Sequence, residues 1–363
     1  MIRVAIIGCG NIAEKHALQI GRIDGAELVA VCDQEPLMAA QLADRFSVPH
    51  RFTDVRAMLD ESKPDVVHIT TPPTSHYALS MQCLTAGANI YVEKPFTLTT
   101  DEAREVIALA AEKDLRVVPG HNGQFTHAMV RMRELVASGY LGGKPMHMES
   151  LYCYDLSNPV YAQAMLGNRD HWVRKLPGSL LQNLISHGVA RVAEFLESDE
   201  PEVTAVGFTS NLLDGLGHGD IIDEVRVIIK DGDRSTAVFT FSTQIKPELH
   251  QFRLYGRKNS LVVDDDYQVL VKIDDRKYRS YLRYLVAPVH FAAQYAKNAG
   301  WNTRHFLRRQ FFFPYDSGMK TLLEDFYSSI ERGTPAPISP GEILRTSIIM
   351  DRIFEQVRPA AIS

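Results

Sequence analysis

The run Ile2 to Ile7 is a short, nearly all-apolar strand, and it breaks straight into Gly8-Cys9-Gly10-Asn11-Ile12-Ala13 before a helical stretch from Glu14 to Arg22. A strand, a G-x-G-x-x-A turn and a helix in that order leave few folds open. The first glycine permits the tight turn, the second lets backbone approach a pyrophosphate, and the small Ala13 lets the helix pack close on the strand. The helix amino terminus then offers free N–H groups, at Asn11 and Ile12 among others, and a positive dipole end to phosphate oxygens. A second strand, Leu28 to Cys32, ends in Asp33, 20 residues past Ala13. A carboxylate at that distance accepts hydrogen bonds from both hydroxyls of an adenine ribose and repels a 2′-phosphate, so NAD is expected over NADP.

The β-α alternation continues to about residue 120. A helix over Pro36 to Phe46, an extended piece near Val48 to Phe52 and a helix over Val55 to Asp60 precede the strand Val66 to Thr70. The polar turn Thr71-Pro72-Pro73-Thr74-Ser75-His76 leads into a helix over Tyr77 to Ala86, ended by Gly87, and the strand Asn89 to Val92 delivers Glu93-Lys94-Pro95. Proline cannot donate to a ladder and restricts the residue before it, so the Lys94-Pro95 link reads as a fixed turn that admits a cis peptide. Ligands of open α/β sheets lie outside the carboxyl ends of the strands. Lys94 is therefore aimed at a site, and the strand end at Thr71 opens on the same side. A helix over Asp101 to Lys113 and a strand over Arg116 to Pro119 complete a doubly wound sheet.

With 363 residues the chain is too long for one ordinary core, and two domains are expected. A net charge of -5 argues against a general nucleic-acid binder. The cysteines Cys9, Cys32, Cys83 and Cys153 show no framework spacing, which suits a reducing compartment. Met1 runs straight into a strand with no separate cleavable segment, and no apolar run reaches membrane-spanning length, so a cytoplasmic protein is expected.

After Gly120-His121-Asn122-Gly123-Gln124-Phe125 and a helix over His127 to Ser138, alternating runs recur: Lys144 to Leu156, Val203 to Thr209, Val225 to Lys230, Thr236 to Thr243, Phe252 to Gly256 and Ser260 to Val263. Strands repeated without intervening helices read as a mostly antiparallel sheet. Between the first two runs lie Trp172 to Ser179 and a helix over about Leu180 to Leu196 that carries Asn183 and His187, four apart and hence neighbours. By itself such a histidine reads equally as a buried structural residue. Asp264-Asp265-Asp266 reads as a polar hairpin turn, so no metal is assigned, and His218 reads as a loop residue.

The glycine loop, the T-P-P-x-x-H turn and above all the E-K-P turn resemble the glucose-fructose oxidoreductase / inositol dehydrogenase / MocA (Gfo/Idh/MocA) family of nicotinamide-dependent sugar and polyol oxidoreductases. The resemblance implies an α/β Rossmann domain over 1–120, followed over 121–363 by an α+β domain with a large, mostly antiparallel open sheet that binds substrate and builds an oligomer. It implies that Gly8, Gly10, Asn11, Ile12, Asp33, Thr71, Pro72, His76, Glu93 and Lys94 border the cofactor, and that Lys94 also touches the substrate hydroxyl. The family carries a W…G-G-x-L-x-D-x-x-x-H stretch whose histidine is the usual proton acceptor. Trp172 and His187 match it, whereas Asn183 stands for its aspartate and Pro177 for its first glycine. Gln124 stands where the family commonly has arginine. Asn122, Gln124, Trp172, Asn183 and His187 are thus the candidate substrate residues.

An aspartate would stabilise a protonated histidine, but an asparagine only orients it or binds a hydroxyl. That shifts the expected substrate from inositol-type polyols towards nucleotide-activated or otherwise derivatised sugars. The expected reaction is hydride transfer between a sugar secondary alcohol and the nicotinamide, with His187 and Lys94 catalytic, in a homodimer or homotetramer. Two rivals remain: a glycosidase that uses held NAD without net redox change, and a non-catalytic sugar or NAD sensor. Residues 276–309 hold many basic and aromatic residues and no acid. This basic helical insertion suits a nucleotide diphosphate, another subunit or peripheral contact with an anionic membrane surface.

Overall fold

The computed structural model describes residues 1–233, 235–276, 279, 281–307 and 318–357. Of the basic segment, Lys277, Tyr278, Arg308 and Arg309 lie outside the described residues. The chain divides into two compact units, Met1–His121 with Met319–Ile348, and Asn122–Gly318 with Ile349–Ser363. The stretch 319–348 thus folds with the first unit, although it follows the second in sequence.

In the first unit the order is β1 Ile2–Ile7, α1 Asn11–Ile20, β2 Ala26–Cys32, α2 Pro36–Phe46, β3 His50–Phe52, α3 Val55–Ser62, β4 Val66–Ile69, α4 His76–Thr85, β5 Asn89–Val92, α5 Thr100–Glu112 and β6 Val117–Pro119. The strands pair in parallel in the order β3-β2-β1-β4-β5-β6. Strand order reverses between β1 and β4, and that is where such sheets open a crevice at their carboxyl edge. The strands β4 and β5 are buried along their whole length, because a parallel sheet with crossover helices is covered on both faces. Helix α5 starts sharply because the Thr99 hydroxyl accepts from the Glu102 N–H while the Glu102 carboxylate accepts from the Leu98 N–H.

The second unit runs α6 His127–Ala137, β7 His147–Cys153, α7 Pro159–Leu166, α8 Ser179–Leu184, α9 Ser186–Ala193, β8 Glu202–Phe208, α10 Asn211–Gly215, β9 Glu224–Asp231, β10 Ser235–Ser242, β11 His250–Tyr255, β12 Ser260–Asp264, β13 Val269–Ile273 and α11 Leu282–Leu307. Its seven strands lie in the order β13-β12-β11-β7-β10-β9-β8. All pairs are antiparallel except β7 with β10, which is parallel. The expected mostly antiparallel sheet is present, with one strand more than the sequence reading anticipated, β13 at its edge.

Helix α9 lies against one face of that sheet. A side chain at Gly188 would sit 2.5 Å from the Phe239 ring and 2.7 Å from Tyr152 Cβ, so a bare backbone is what permits the approach. The helix expected over 180–196 is in fact α8 and α9, separated at Ile185. Two closing helices follow, α12 Met319–Arg332 in the first unit and α13 Pro340–Gln356, which begins in the first unit and ends in the second. Among the described residues, no helix is long and apolar enough to cross a membrane.

Candidate active site

At the carboxyl edge of the first sheet, Gly8 follows β1 with φ +92, and a Cβ there would lie 2.7 Å from the Thr71 methyl and 2.9 Å from the Thr71 nitrogen. Glycine at this place lets the loops after β1 and β4 meet. At Gly10 a Cβ would find nothing within 4 Å, so the turn faces open space. No side chain caps α1, so the N–H groups of Asn11 and Ile12 at its start are left for a ligand to meet. Asp33 closes the far side of the loop. One of its carboxylate oxygens accepts from the Cys9 N–H at 2.7 Å and the other from the Glu35 N–H at 2.9 Å. Each oxygen keeps a lone pair, enough for two ribose hydroxyls.

An open cradle, an uncapped helix terminus and a fixed carboxylate fit a dinucleotide without a 2′-phosphate. Cys9 and Cys32 flank the loop but are poor nucleophiles, since burial and then the Asp33 charge push their thiols up to about 12 and about 11.

The next strand ends are bound together by His76. Its ring nitrogens lie 2.9 Å from the Thr71 carbonyl and 2.8 Å from the Pro95 carbonyl, so one buried ring spans the loops after β4 and β5. Pro72, between them, is exposed, and the Lys94-Pro95 peptide is cis. The structure therefore gives His76 a holding position behind the loops.

Glu93 anchors a longer chain. Its carboxylate lies 3.0 Å from His16 Nε2, His16 Nδ1 lies 2.8 Å from His68 Nδ1, and His68 Nε2 lies 2.8 Å from the Tyr327 hydroxyl. His16 and His68 are fully buried. The proton positions follow from the acceptor at one end. Burial alone would raise the Glu93 pKa, but the hydrogen bond and charge of His16 and the charge of Lys94 hold it below the ordinary value, so Glu93 is ionised. An ionised carboxylate requires His16 to donate from Nε2; the two Nδ1 atoms of His16 and His68 share one proton, and the Tyr327 hydroxyl meets His68 Nε2. Burial, and next the His16 ring, keep His68 well below its usual range and hence neutral. Each of the four groups thereby has a partner in the series. Gly120 makes room, since a Cβ there would lie 3.2 Å from the Glu93 carboxylate.

Lys94 is partly buried beside Glu93. Loss of hydration pushes its ammonium pKa down and the Glu93 charge opposes this without cancelling it. That makes the group a readier proton donor than a free lysine.

In the second unit, the short turn Asn122–Phe125 faces α9. A Cβ at Gly123 would lie 3.2 Å from Arg191 Nη2 and 3.8 Å from His187 Nδ1, so the bare backbone lets both side chains close on it. Within residues 181–190, Asn183 and His187 alone keep some exposure, and every neighbour is buried. Gln124 is buried, and its amide donates to the Glu194 carboxylate at 3.0 Å and to the Ala190 carbonyl at 3.4 Å. It clamps the turn to α9. Asn122, one turn away, is partly exposed. Trp172 packs against the core of this unit, with its ring 5.5 Å from His171.

Sequence reasoning missed Arg191. It is fully buried, pairs with Asp265, and its Nε and Nη1 meet no acceptor among the described residues. The available signal was an arginine four places after His187 in an otherwise apolar helix. Asp265 also accepts from Thr126 at 2.8 Å and Asp266 lies 2.6 Å from His250, so the acidic turn after β12 is bound up in internal contacts. His218 is a loop residue, as read, but a buried one 2.9 Å from Arg174.

Fold and site together define a Rossmann-type unit with an open glycine cradle and a fixed carboxylate, followed by an α+β unit. Residues 2–121 match the model of an oxidoreductase family with an NAD-binding Rossmann fold, Gfo/Idh/MocA. The match is confined to the first, Rossmann-type stretch of the chain. It is 36% identical over 142 residues to a D-glucoside 3-dehydrogenase of Escherichia coli, covering 39% of this chain and 40% of that protein. It is 24% identical to an inositol 2-dehydrogenase of Rhizobium meliloti, covering 98% and 97%. The fold matches the WlbA dehydrogenase of Bordetella pertussis, solved with NADH and UDP-GlcNAcA, at a TM-score of 0.77 and 15% identity over 98% and 95% of the two chains. The chain spans only 40 to 48% of the length of several curated relatives it matches.

His121 supplies a pH test of this buried cluster. Burial first, then the Lys94 charge, lower its pKa from 6.5 to about 4, against the opposing pull of Glu93. The unfolded chain binds a proton here below about pH 6.5, so this ring favours folding fully above that pH and progressively less as the pH falls towards 4, by up to about 3 kcal/mol. The melting temperature should drop across that window, and drop less in His121→Asn. Parallel curves for the two proteins would contradict the assignment.

Proposed function

We propose that this chain is an NAD-dependent dehydrogenase or ketoreductase acting on a secondary alcohol of a sugar, with a nucleotide-activated or otherwise derivatised sugar as substrate. The observation that carries the reading is Lys94, placed at the carboxyl end of β5 beside a Glu93 whose charge is held by buried hydrogen bonds. The cofactor, when bound, supplies the hydride acceptor or donor. Gly8, Gly10, Asn11, Ile12, Asp33, Thr71 and Pro72 hold it. The Lys94 ammonium donates to the substrate oxygen and stabilises the negative charge that develops there, and His187 takes the hydroxyl proton.

The relatives support the substrate class. One is named a D-glucoside 3-dehydrogenase, another a UDP-N-acetylglucosamine 3-dehydrogenase, and the WlbA structure carries a UDP-sugar. Asn183 in place of the family aspartate points the same way. The four described cysteines are free and buried, which suits the cytoplasm, a location that cell fractionation reads directly.

The chain also acts as a homodimer or homotetramer in this reading. Val206 and Phe208 on β8 and Ile228 on β9 share one face of the second sheet and are 62, 47 and 58% exposed. A sheet face left apolar needs a cover, and a second copy supplies it by symmetry. Ile228→Glu should shift the wild-type oligomer towards monomer in analytical ultracentrifugation; a monomeric wild type contradicts the assembly.

Lys94→Ala tests the chemistry. Turnover of NAD with a panel of glycosides and UDP-sugars should fall by roughly 10² to 10⁴, the usual loss for a positioned acid-base group, while the affinity for NAD stays within a few-fold. Undiminished turnover would remove Lys94 from the mechanism.

A further inference from the structure

Helix α11 is built inside out. A helix on a protein surface ordinarily turns its apolar stripe to the core. Here the inward stripe is polar: Gln294, Asn298 and Asn302, at successive i,i+4 positions, hydrogen-bond along the edge strand and its turn. Gln294 accepts from the Lys272 N–H at 2.8 Å and donates to its carbonyl at 2.9 Å. Asn298 does the same with Leu270, at 3.1 and 2.9 Å, and Asn302 donates to the Tyr267 carbonyl at 2.9 Å. The amides satisfy backbone groups that an edge strand otherwise leaves open. Asn298 is the buried residue of the 26 in this helix.

The outward side carries the apolar residues. Tyr284, Leu285, Val289, Phe306 and Leu307 are 80, 67, 68, 69 and 74% exposed. At about 100° per residue, Leu285, Val289 and Leu307 form a ridge opposite the amide stripe. Tyr284, Tyr295 and Phe306 lie on one flank. Arg283, Lys297 and Arg304, spaced by fourteen and seven residues, line the other. None of these three cations pairs with a carboxylate among the described residues, and 276–309 contains no acid.

Two covers suit an apolar ridge, a second copy of this chain or a lipid surface, and charge decides between them. In a two-fold interface a patch meets itself, so this stripe of cations would be brought towards an identical one with no acid to neutralise either. An aliphatic ridge with aromatics on one flank and Arg/Lys on the other is the composition of a helix lying in the plane of a bilayer interface. At 26 residues it runs about 39 Å along such a surface. We propose that α11 seats this protein on an anionic phospholipid surface, with Leu285, Val289 and Leu307 entering the acyl boundary and Arg283, Lys297 and Arg304 meeting the headgroups. This inference does not depend on the redox reading.

The test uses the full chain and large vesicles of phosphatidylcholine, alone or mixed with phosphatidylglycerol, in a co-sedimentation assay. The wild type should pellet with the mixed vesicles, far less with phosphatidylcholine alone, and should be released by high salt. A Leu285→Glu/Val289→Glu variant, changed only at exposed positions, should lose pelleting. Arg283→Glu/Lys297→Glu/Arg304→Glu should weaken it by about a hundredfold or more, at about 1 kcal/mol per cation. Circular dichroism and NAD binding confirm that both variants remain folded. A wild type that stays in the supernatant with the mixed vesicles overturns the proposal, as does equal pelleting of the variants. If sedimentation velocity instead shows a dimer that Leu285→Glu/Val289→Glu dissociates, without vesicle binding, a second copy covers the helix and the lipid assignment is wrong.

Discussion

The hydrogen-bonded series Glu93, His16, His68, Tyr327 is the constraint around which the first unit is arranged. An ionised carboxylate in a largely buried place is tolerated only when donors reach it, and removing one partner of such a buried pair commonly costs about 3 to 5 kcal/mol. Here the donor is on α1, the same helix whose amino terminus follows the glycine turn, and the acceptor directly follows β5, one residue before Lys94. His68 sits in β4 and Tyr327 on α12, so four elements far apart in sequence are fixed by one set of protons. The glycine turn and the lysine turn cannot shift independently while that set is intact.

His76 adds a second tie between the loops after β4 and β5, and Asp33 adds a third between the glycine turn and the end of β2. Rigid supports of this kind let a site hold charged groups without reorganising when a ligand arrives. In the second unit the same logic appears with different residues. Gln124 and Arg133 both bind Glu194, and Arg191 binds Asp265, so the turn at Asn122–Phe125, the helix α9 and the acidic turn after β12 are held together around His187.

Much of this was legible in the sequence where a local rule applies. Apolar runs closed by glycine or proline gave the parallel strands, and the spacing of Gly8, Gly10, Ala13 and Asp33 gave the shape of the first loop. What sequence could not give is contact across distance. Glu93 and His16 are 77 residues apart and Arg191 and Asp265 are 74 apart, and no periodicity links them. The break at Ile185 was invisible because its backbone stays right-handed helical, so the apolar spacing carries through it. β13 follows a tight turn through Asp265–Gln268 and is only five residues long. Helix α11 falls in the segment read as a basic helical insertion, but composition does not say which face turns inward. Three side-chain amides, which composition counts as surface residues, took the inner side.

The first unit holds NAD through an open glycine cradle and an Asp33 carboxylate fixed by the Cys9 and Glu35 N–H groups. Isothermal titration of the purified chain with NAD and NADP, repeated on Asp33→Ser with Gln34→Arg, tests it directly. The wild type should bind NAD more tightly than NADP, and the double variant should reverse or remove the preference. A wild type that binds neither dinucleotide, or a preference unmoved by the substitutions, would contradict it.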